Sequence, residues 1–413
     1  MEEEILVTEE NINEIKKRLE ILYDKFRLDR SEDEILIGNH AINILFPYEQ
    51  ESIEYSISEF FLYTGDLDSI VKVNNSTVRS SKVVQTIVNS NNNYIFDNLN
   101  LTNNIVETDR YTMSIINNPF LIGLIAASEG PFSEGYGIAP CSIYTAVEII
   151  YKDESDLLDP LNENKLIKEF LFYLSYKYNY YIYIDDYINI DEIDYEYSLY
   201  VDDDSDIDSS ENIKISSDHL LKYSSIMDMY IEAMSIGNTE IKFLYYYKII
   251  EYCSPIVSKM RAYELLNRKL DLLSHSNRDF SYLDSIFELV REHDISLRDN
   301  ELVYTVLLEC IDIIQLYEFL PSNIRKRLSK KYQYKQDSIK YGLDISVQNQ
   351  IKQGVSTVLY ATRNRIVHAK SNYTFTGEEC ASDDLEDLNL FISKLCYCLI
   401  AWNNRQSVLF RIQ

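Results

Sequence analysis

All of the surplus negative charge in this chain lies in its first half, and that asymmetry limits what each half can become. Residues 1–212 hold 14 basic and 42 acidic side chains, a net of −28, while residues 213–413 hold 25 of each. The acids are densest between Asp185 and Glu211, around Asp202, Asp203, Asp204, Asp206 and Asp208. Such a run repels itself and offers little for a core to bury, so it reads as a solvated linker or loop. It divides the chain into an acidic front domain (1–184), a linker (185–212) and a second domain (213–413), each domain long enough to bury a core. A front domain of that sign repels nucleic acid. The neutral second half can still carry a local basic patch.

Hydrophobic residues make up 46% of the chain, which excludes global disorder. Glycine and proline are scarce, as suits long helices with few tight turns. The 35 tyrosines read mostly as core filler with polar tips. In the front half a charged amphipathic helix is expected over Glu9–Leu28. Short strands are expected at Val71–Val73, Tyr94–Phe96 and Tyr111–Ile115, separated by Asn-rich turns. A helix over Glu163–Tyr178 then leads into a strand over Tyr180–Ile184. Beyond the linker the pattern turns helical: Ser217–Ile236, Thr239–Leu273 with a bend expected at Pro255, Tyr282–His293, Asn300–Phe319, Ile345–His368 and Asp383–Asn403. Short connections between such helices predict an up-and-down bundle. The expected class is α+β, a mixed α/β front domain followed by an all-α helical bundle.

The six cysteines (Cys141, Cys253, Cys310, Cys380, Cys396 and Cys398) form no CxxC pair. They read as free, buried thiols in a reducing compartment, and zinc is not expected. The start Met1-Glu2-Glu3-Glu4 is acidic, the reverse of a signal peptide. The most apolar early stretch, Phe120–Ser128, is far short of a membrane span. A soluble, cytoplasmic protein is the expectation.

The segment with the most chemistry is Arg363-Asn364-Arg365-Ile366-Val367-His368-Ala369-Lys370. On a helix, Asn364 and His368 share a face, and Arg363 is offset by about a third of a turn. A long guanidinium spans that offset. The set places a proton shuttle beside a fixed positive charge, which suits cleavage of a phosphodiester without a metal. Arg-x4-His alone is weak, since chance supplies about 0.2 copies in this composition; Asn directly after the arginine reduces that to about 0.02. The motif also ends an apolar-periodic stretch carrying Ile345, Ile351, Val355, Val358, Leu359 and Ile366, with Asp344 as its N-cap.

The stretch Leu359–Ala369 resembles the signature helix of the HEPN superfamily, most closely its Apea-like branch. Phe243–Tyr252 is similar to the early tyrosine-rich helix of that branch. The resemblance covers the C-terminal half and does not extend to the N-terminal half. It implies an α-helical bundle that dimerises and brings two Arg/His pairs into one composite cleft. Many members are metal-independent endoribonucleases found as toxins or in antiviral defence, while others are inactive interaction or ligand-binding modules. Carried over, the catalytic residues are Arg363, Asn364 and His368, with RNA as partner, a homodimer through the bundle, and a protein trigger or antitoxin. No cofactor or metal is expected.

A purely structural reading stands beside this one. A histidine ending a helix meets the negative end of the dipole, and Arg363 also suits an ion pair with a bundle carboxylate. Arg325-Lys326-Arg327-Leu328-Ser329-Lys330-Lys331-Tyr332-Gln333-Tyr334-Lys335 is the densest positive cluster. Its Arg325, Lys326, Arg327, Lys330, Lys331 and Lys335 suit phosphates and Tyr332 and Tyr334 suit base stacking, with Arg365 and Lys370 alongside. The alternative is a solvated basic loop between bundle helices. Lys248 and Glu251 are candidates to face the motif across the bundle, where a carboxylate would orient the imidazole; ordinary surface pairing is the alternative. Gly130–Gly137 has the outline of a phosphate loop, but Tyr136 stands where lysine is required. The acidic run fails as a calcium loop, with Ile207 and Ile213 at the glycine and glutamate positions. No nucleotidyltransferase signature precedes the bundle, and His40, His219, His275 and His293 form no ligand-spaced set. The rival to a nuclease is a non-catalytic HEPN-like scaffold whose front domain senses a ligand or protein, and a ligand-binding signalling module is a third reading.

Overall fold

The computed structural model describes residues 9–26, 35–37, 41–46, 52–90, 96, 103–129, 144–185, 213–273, 284, 299–336, 344–368, 374–408 and 410–412. They divide into two units, Met1–Leu220 and Leu221–Gln413. The glycine-rich stretch 130–137, most of the acidic run, the helix expected over 282–293 apart from Asp284, and Lys370 lie outside the described residues.

The first unit opens with helix α1 (Glu9–Phe26) and an antiparallel three-stranded sheet, β1 (Ile35–Ile37), β2 (Ala41–Ile44) and β3 (Ile53–Ser56). Helix α2 (Ile57–Thr64) starts on a capping box: the Ser56 hydroxyl accepts from Glu59 N–H while the Glu59 carboxylate accepts from Ser56 N–H. Eight further strands form the main sheet: β4 (Val71–Lys72), β5 (Thr77–Arg79), β6 (Val83–Ser90), β7 (Asn104–Glu107), β8 (Tyr111–Asn117), β9 (Thr145–Tyr151), β10 (Ile182–Ile184) and β11 (Ile213–Ile215). Their order is β11-β7-β8-β9-β6-β5-β4, with β10 on the end of β6. Every pairing is antiparallel except β11 beside β7.

The two central strands are buried on both faces, and the period-2 alternation assigns their residues to two cores. Val83, Ile87 and Ala146 join α1, α2 and helix α3 (Phe120–Glu129) on one side. Val84, Val88, Val147, Ile149 and Tyr151 join helix α4 (Pro160–Tyr178) on the other. Helix α4 is set by its ends. Asp159 accepts from the N–H groups of Leu161 and Asn162, Pro160 supplies the preset first position, and Asn179 closes the helix in the left-handed region at φ 61°. The expected strands at Val71, Tyr111 and Ile182 and the helix ending at Tyr178 are all present. Phe96 is helical, not part of a strand, and Tyr94 and Ile95 lie outside the described residues. Ile213–Ile215 belongs to the sheet, so the helical region begins later than residue 213.

The second unit is all helical from α5 (Ser225–Ser235) onward, through α6 (Thr239–Leu273), α7 (Asp299–Cys310), the short α8 (Ile313–Leu316), α9 (Ser322–Tyr332), α10 (Ile345–Val367) and α11 (Leu385–Arg405). Helix α6 runs unbroken through Pro255. Proline lacks the N–H that would reach the Glu251 carbonyl one turn back, and the Ser254 hydroxyl donates to that carbonyl instead at 3.0 Å. The basic segment expected as an inter-helix loop is helix α9. It lies so close to α10 that a Cβ built on Gly354 would come within 2.4 Å of Leu328 Cδ2 and 3.0 Å of Tyr332 Cε2. Among the described residues no helix is long and apolar enough to cross a membrane.

Candidate functional site

Helix α10 carries the motif into its last turns. Asp344 caps the start, its carboxylate accepting from Ser346 N–H at 2.9 Å. Ile351, Val355, Val358, Leu359 and Thr362 are buried, whereas Ile345 is exposed at the first turn. As the buried face runs out, Arg363 and Asn364 become half-buried and His368 exposed. His368 is the C-terminal cap, and its N–H donates to the Asn364 carbonyl at 2.9 Å. The Asn364 carboxamide oxygen accepts from Arg363 Nη1 at 3.2 Å. Asn364 therefore ties the guanidinium and the imidazole-bearing residue into one small unit: its side chain holds one and its main chain holds the other.

Arg363 has a second partner. Its Nη2 lies 3.4 Å from Glu251 Oε1 on α6, the two side chains being 27% and 40% exposed. Glu251 thus meets the motif across the bundle, but at the arginine. Lys248 is exposed and sits over the Tyr245 ring at 5.8 Å. One turn before Glu251, Tyr247 is buried at 1% exposure with no hydrogen-bond partner for its hydroxyl among the described residues. Burial pushes its phenol up, Glu251 adds to the rise and Arg363 opposes it.

Arg365 faces elsewhere. Its Nη1 donates to the Cys380 carbonyl at 2.7 Å and reaches the Ser382 hydroxyl at 3.4 Å. Two helices fasten the same loop. Cys380 N–H donates to Thr362 Oγ1, and Arg327 on α9 donates to the carbonyls of Gly377 at 2.8 Å and Glu378 at 2.7 Å. Lys331 pairs with the Glu378 carboxylate at 2.8 Å, a bond that raises the lysine's pKa. The Glu379 carboxylate folds the loop on itself through Thr376 and Gly377, the latter at φ 81°, a backbone state that glycine adopts without strain. Arg327, Lys331 and Arg365 are therefore all engaged with the loop over 376–382, Lys331 from an exposed position. Lys326, Lys330 and Lys335 are exposed, and Arg325 is half-buried. Tyr332 packs on Gly354 of α10, and Tyr334 is buried with its hydroxyl 3.0 Å from that of Tyr317. A fork-shaped guanidinium satisfying two carbonyls at once is what a helix-to-loop junction needs, and the sequence carried no sign of that role.

No family model, no curated protein and no solved structure matches the chain. The site stands on its own geometry. Four of the cysteines (Cys253, Cys310, Cys380 and Cys396) are buried and free, and burial pushes their thiols up, which makes them poor nucleophiles at neutral pH. Among the described residues no three His, Cys, Asp or Glu side chains gather as metal ligands. His219 is exposed on a short turn. The residues that sequence reasoning missed are Tyr247 and Ser254. Tyr247 sits in a run of three tyrosines that nothing in the sequence ranks.

Proposed function

We propose that the chain is a metal-independent endoribonuclease of HEPN type, acting as a homodimer. The observation that carries this reading is the C-terminal end of α10, where a braced guanidinium and an exposed histidine occupy one terminus at the solvent boundary. In the composite cleft one His368 takes the proton of a ribose 2′-hydroxyl, and the other gives a proton to the departing 5′-oxygen. Arg363 stabilises the charge that builds on phosphorus, with Asn364 holding the guanidinium in aim. Products carry a 2′,3′-cyclic phosphate, and DNA resists because it lacks the attacking hydroxyl. Lys326, Lys330 and Lys335 are the cations on α9 and just beyond it best placed to meet the backbone of an RNA. The biological setting that fits is antiviral defence or a toxin–antitoxin pair, with the acidic first unit sensing the trigger.

The test is cleavage of labelled, structured RNA by purified protein in EDTA. His368→Ala should lower the rate by about 10²–10⁴-fold while leaving the dimer intact. Equal activity in that variant rules the mechanism out. One observation favours a second reading, a non-catalytic scaffold: Arg363 is already paired with Glu251. Wild-type protein that dimerises without cutting any RNA would support it.

A further inference from the structure

We propose that Glu251 is a latch on Arg363: an internal carboxylate occupying the place of the scissile phosphate, with the buried Tyr247 hydroxyl as the position to which it withdraws. This rests on the nuclease reading above and names how that site is held closed.

Carboxylate and phosphate oxygens compete for the same guanidinium fork. With Glu251 Oε1 at 3.4 Å from Arg363 Nη2, an incoming phosphate must displace it or share the arginine. Both side chains are partly exposed, so the pair can open without unpacking the bundle. A displaced carboxylate needs a new donor, and one is waiting. Among the described residues the Tyr247 hydroxyl has no hydrogen-bond partner, an unfavourable state for a buried donor, and it lies four residues before Glu251 on the same helical face. The charges of Glu251 and Arg363 both reach that phenol. The backbone of Glu251 stays fixed meanwhile, because Ser254 holds its carbonyl at the Pro255 gap. The switch is then a change of side-chain torsion alone. Closed, Glu251 pairs with Arg363; open, Arg363 meets phosphate and Tyr247 donates to Glu251.

The test uses the full chain and two RNAs. A fluorescent oligonucleotide with every 2′-hydroxyl methylated reports binding without cleavage, and its unmodified counterpart reports cleavage. Glu251→Gln should bind the methylated RNA about two- to fivefold more tightly, the range that a partly exposed ion pair converts to. It should also cut the unmodified RNA faster at subsaturating concentration. Arg363→Ala should erase the affinity gain in the double variant, whereas a general effect of removing negative charge would survive there. Tyr247→Phe changes no charge and should weaken binding, because the withdrawn carboxylate then has no donor. Wild-type cleavage with no gain in Glu251→Gln, or with unchanged binding in Tyr247→Phe, overturns the latch alone. The predicted binding pattern without cleavage by any variant overturns the nuclease alone. Absence of both binding and cleavage overturns the two together.

Discussion

Glu148 offers a sharp test of how the first unit is held together. It lies on the central strand β9 at 4% exposure, opposite Gln85 in the register of β6. Gln85 Nε2 donates to the Glu148 carboxyl at 2.7 Å, and Gln85 Oε1 accepts from the N–H groups of Leu121 and Ile122 in the first turn of α3. One amide thus joins a buried acid to a helix start. Burial raises the Glu148 pKa from 4.5 to about 7, only partly offset by the hydrogen bonds from Gln85 and Tyr63. The unfolded chain releases this proton near pH 4.5 while the folded chain keeps it to about 7. Between those values the folded state binds more protons, so the contribution to stability is greatest in acid and falls as pH rises. At about 1.4 kcal/mol per pH unit, the loss is roughly 3 kcal/mol by pH 8. Glu148→Gln keeps the shape and the neutral hydrogen bonding but removes the titration. It should match wild type near pH 4 and exceed it by about 3 kcal/mol at pH 8. Urea unfolding, read by hydrogen exchange in peptides covering β6 and β9, measures the difference at each pH. Parallel stability curves for the two proteins between pH 5 and 8 would refute the reasoning.

Two further predictions concern the second unit. Gly354→Ala should destabilise it by about 1–3 kcal/mol, because the new methyl falls within contact distance of Leu328 and Tyr332; urea titration followed at Trp402 measures this. Combined with Leu328→Ala, the double variant should be less destabilised than the two single losses summed, the coupling expected when the new methyl and the Leu328 side chain compete for one space. Arg365→Ala should raise hydrogen exchange across residues 374–382 by about one to two decades, since the Cys380 carbonyl loses a charge-assisted donor. Arg365→Lys should fail to restore full protection, because the ammonium sits on a shorter side chain and is more strongly hydrated than the guanidinium nitrogen that makes both contacts.

How much was legible depends on whether a residue's role is local. Helix α10 and its cap at Asp344 follow from a 3.6-residue pattern and an N-cap rule, and both are where the sequence placed them. Helix α6 was read at its observed ends, and only the role of Ser254 in keeping it whole past Pro255 was hidden. The division into an α+β front and a helical back was visible in charge and periodicity. By contrast, β6 and β9 gave no alternation to detect, because both of their faces are covered by helices. The same limit applies to the basic segment. Composition marks Arg327, Lys331 and Arg365 as cations, but whether a cation meets water, RNA or a carbonyl is decided by a loop some 50 residues on in the case of Arg327 and Lys331. Tertiary partners override the local reading at those positions.

That override changes how the proposed nuclease surface should be drawn. Composition alone spreads the RNA contact over the basic segment and both flanks of the motif. With Arg327, Lys331 and Arg365 paired to the 376–382 loop, the exposed cations outside that pairing are Lys326 and Lys330 on α9, one turn apart, and Lys335 just beyond the helix. An RNA backbone would then be met by a short ridge on α9, not by a broad basic face. Such a ridge holds few phosphates, and the slope of binding against salt counts them, at about 0.7 per contact for single strands. Two or three lysines therefore allow only a shallow slope, near two. Discrimination among RNAs would then depend on the geometry at the end of α10, where Asn364 joins Arg363 to His368, more than on charge.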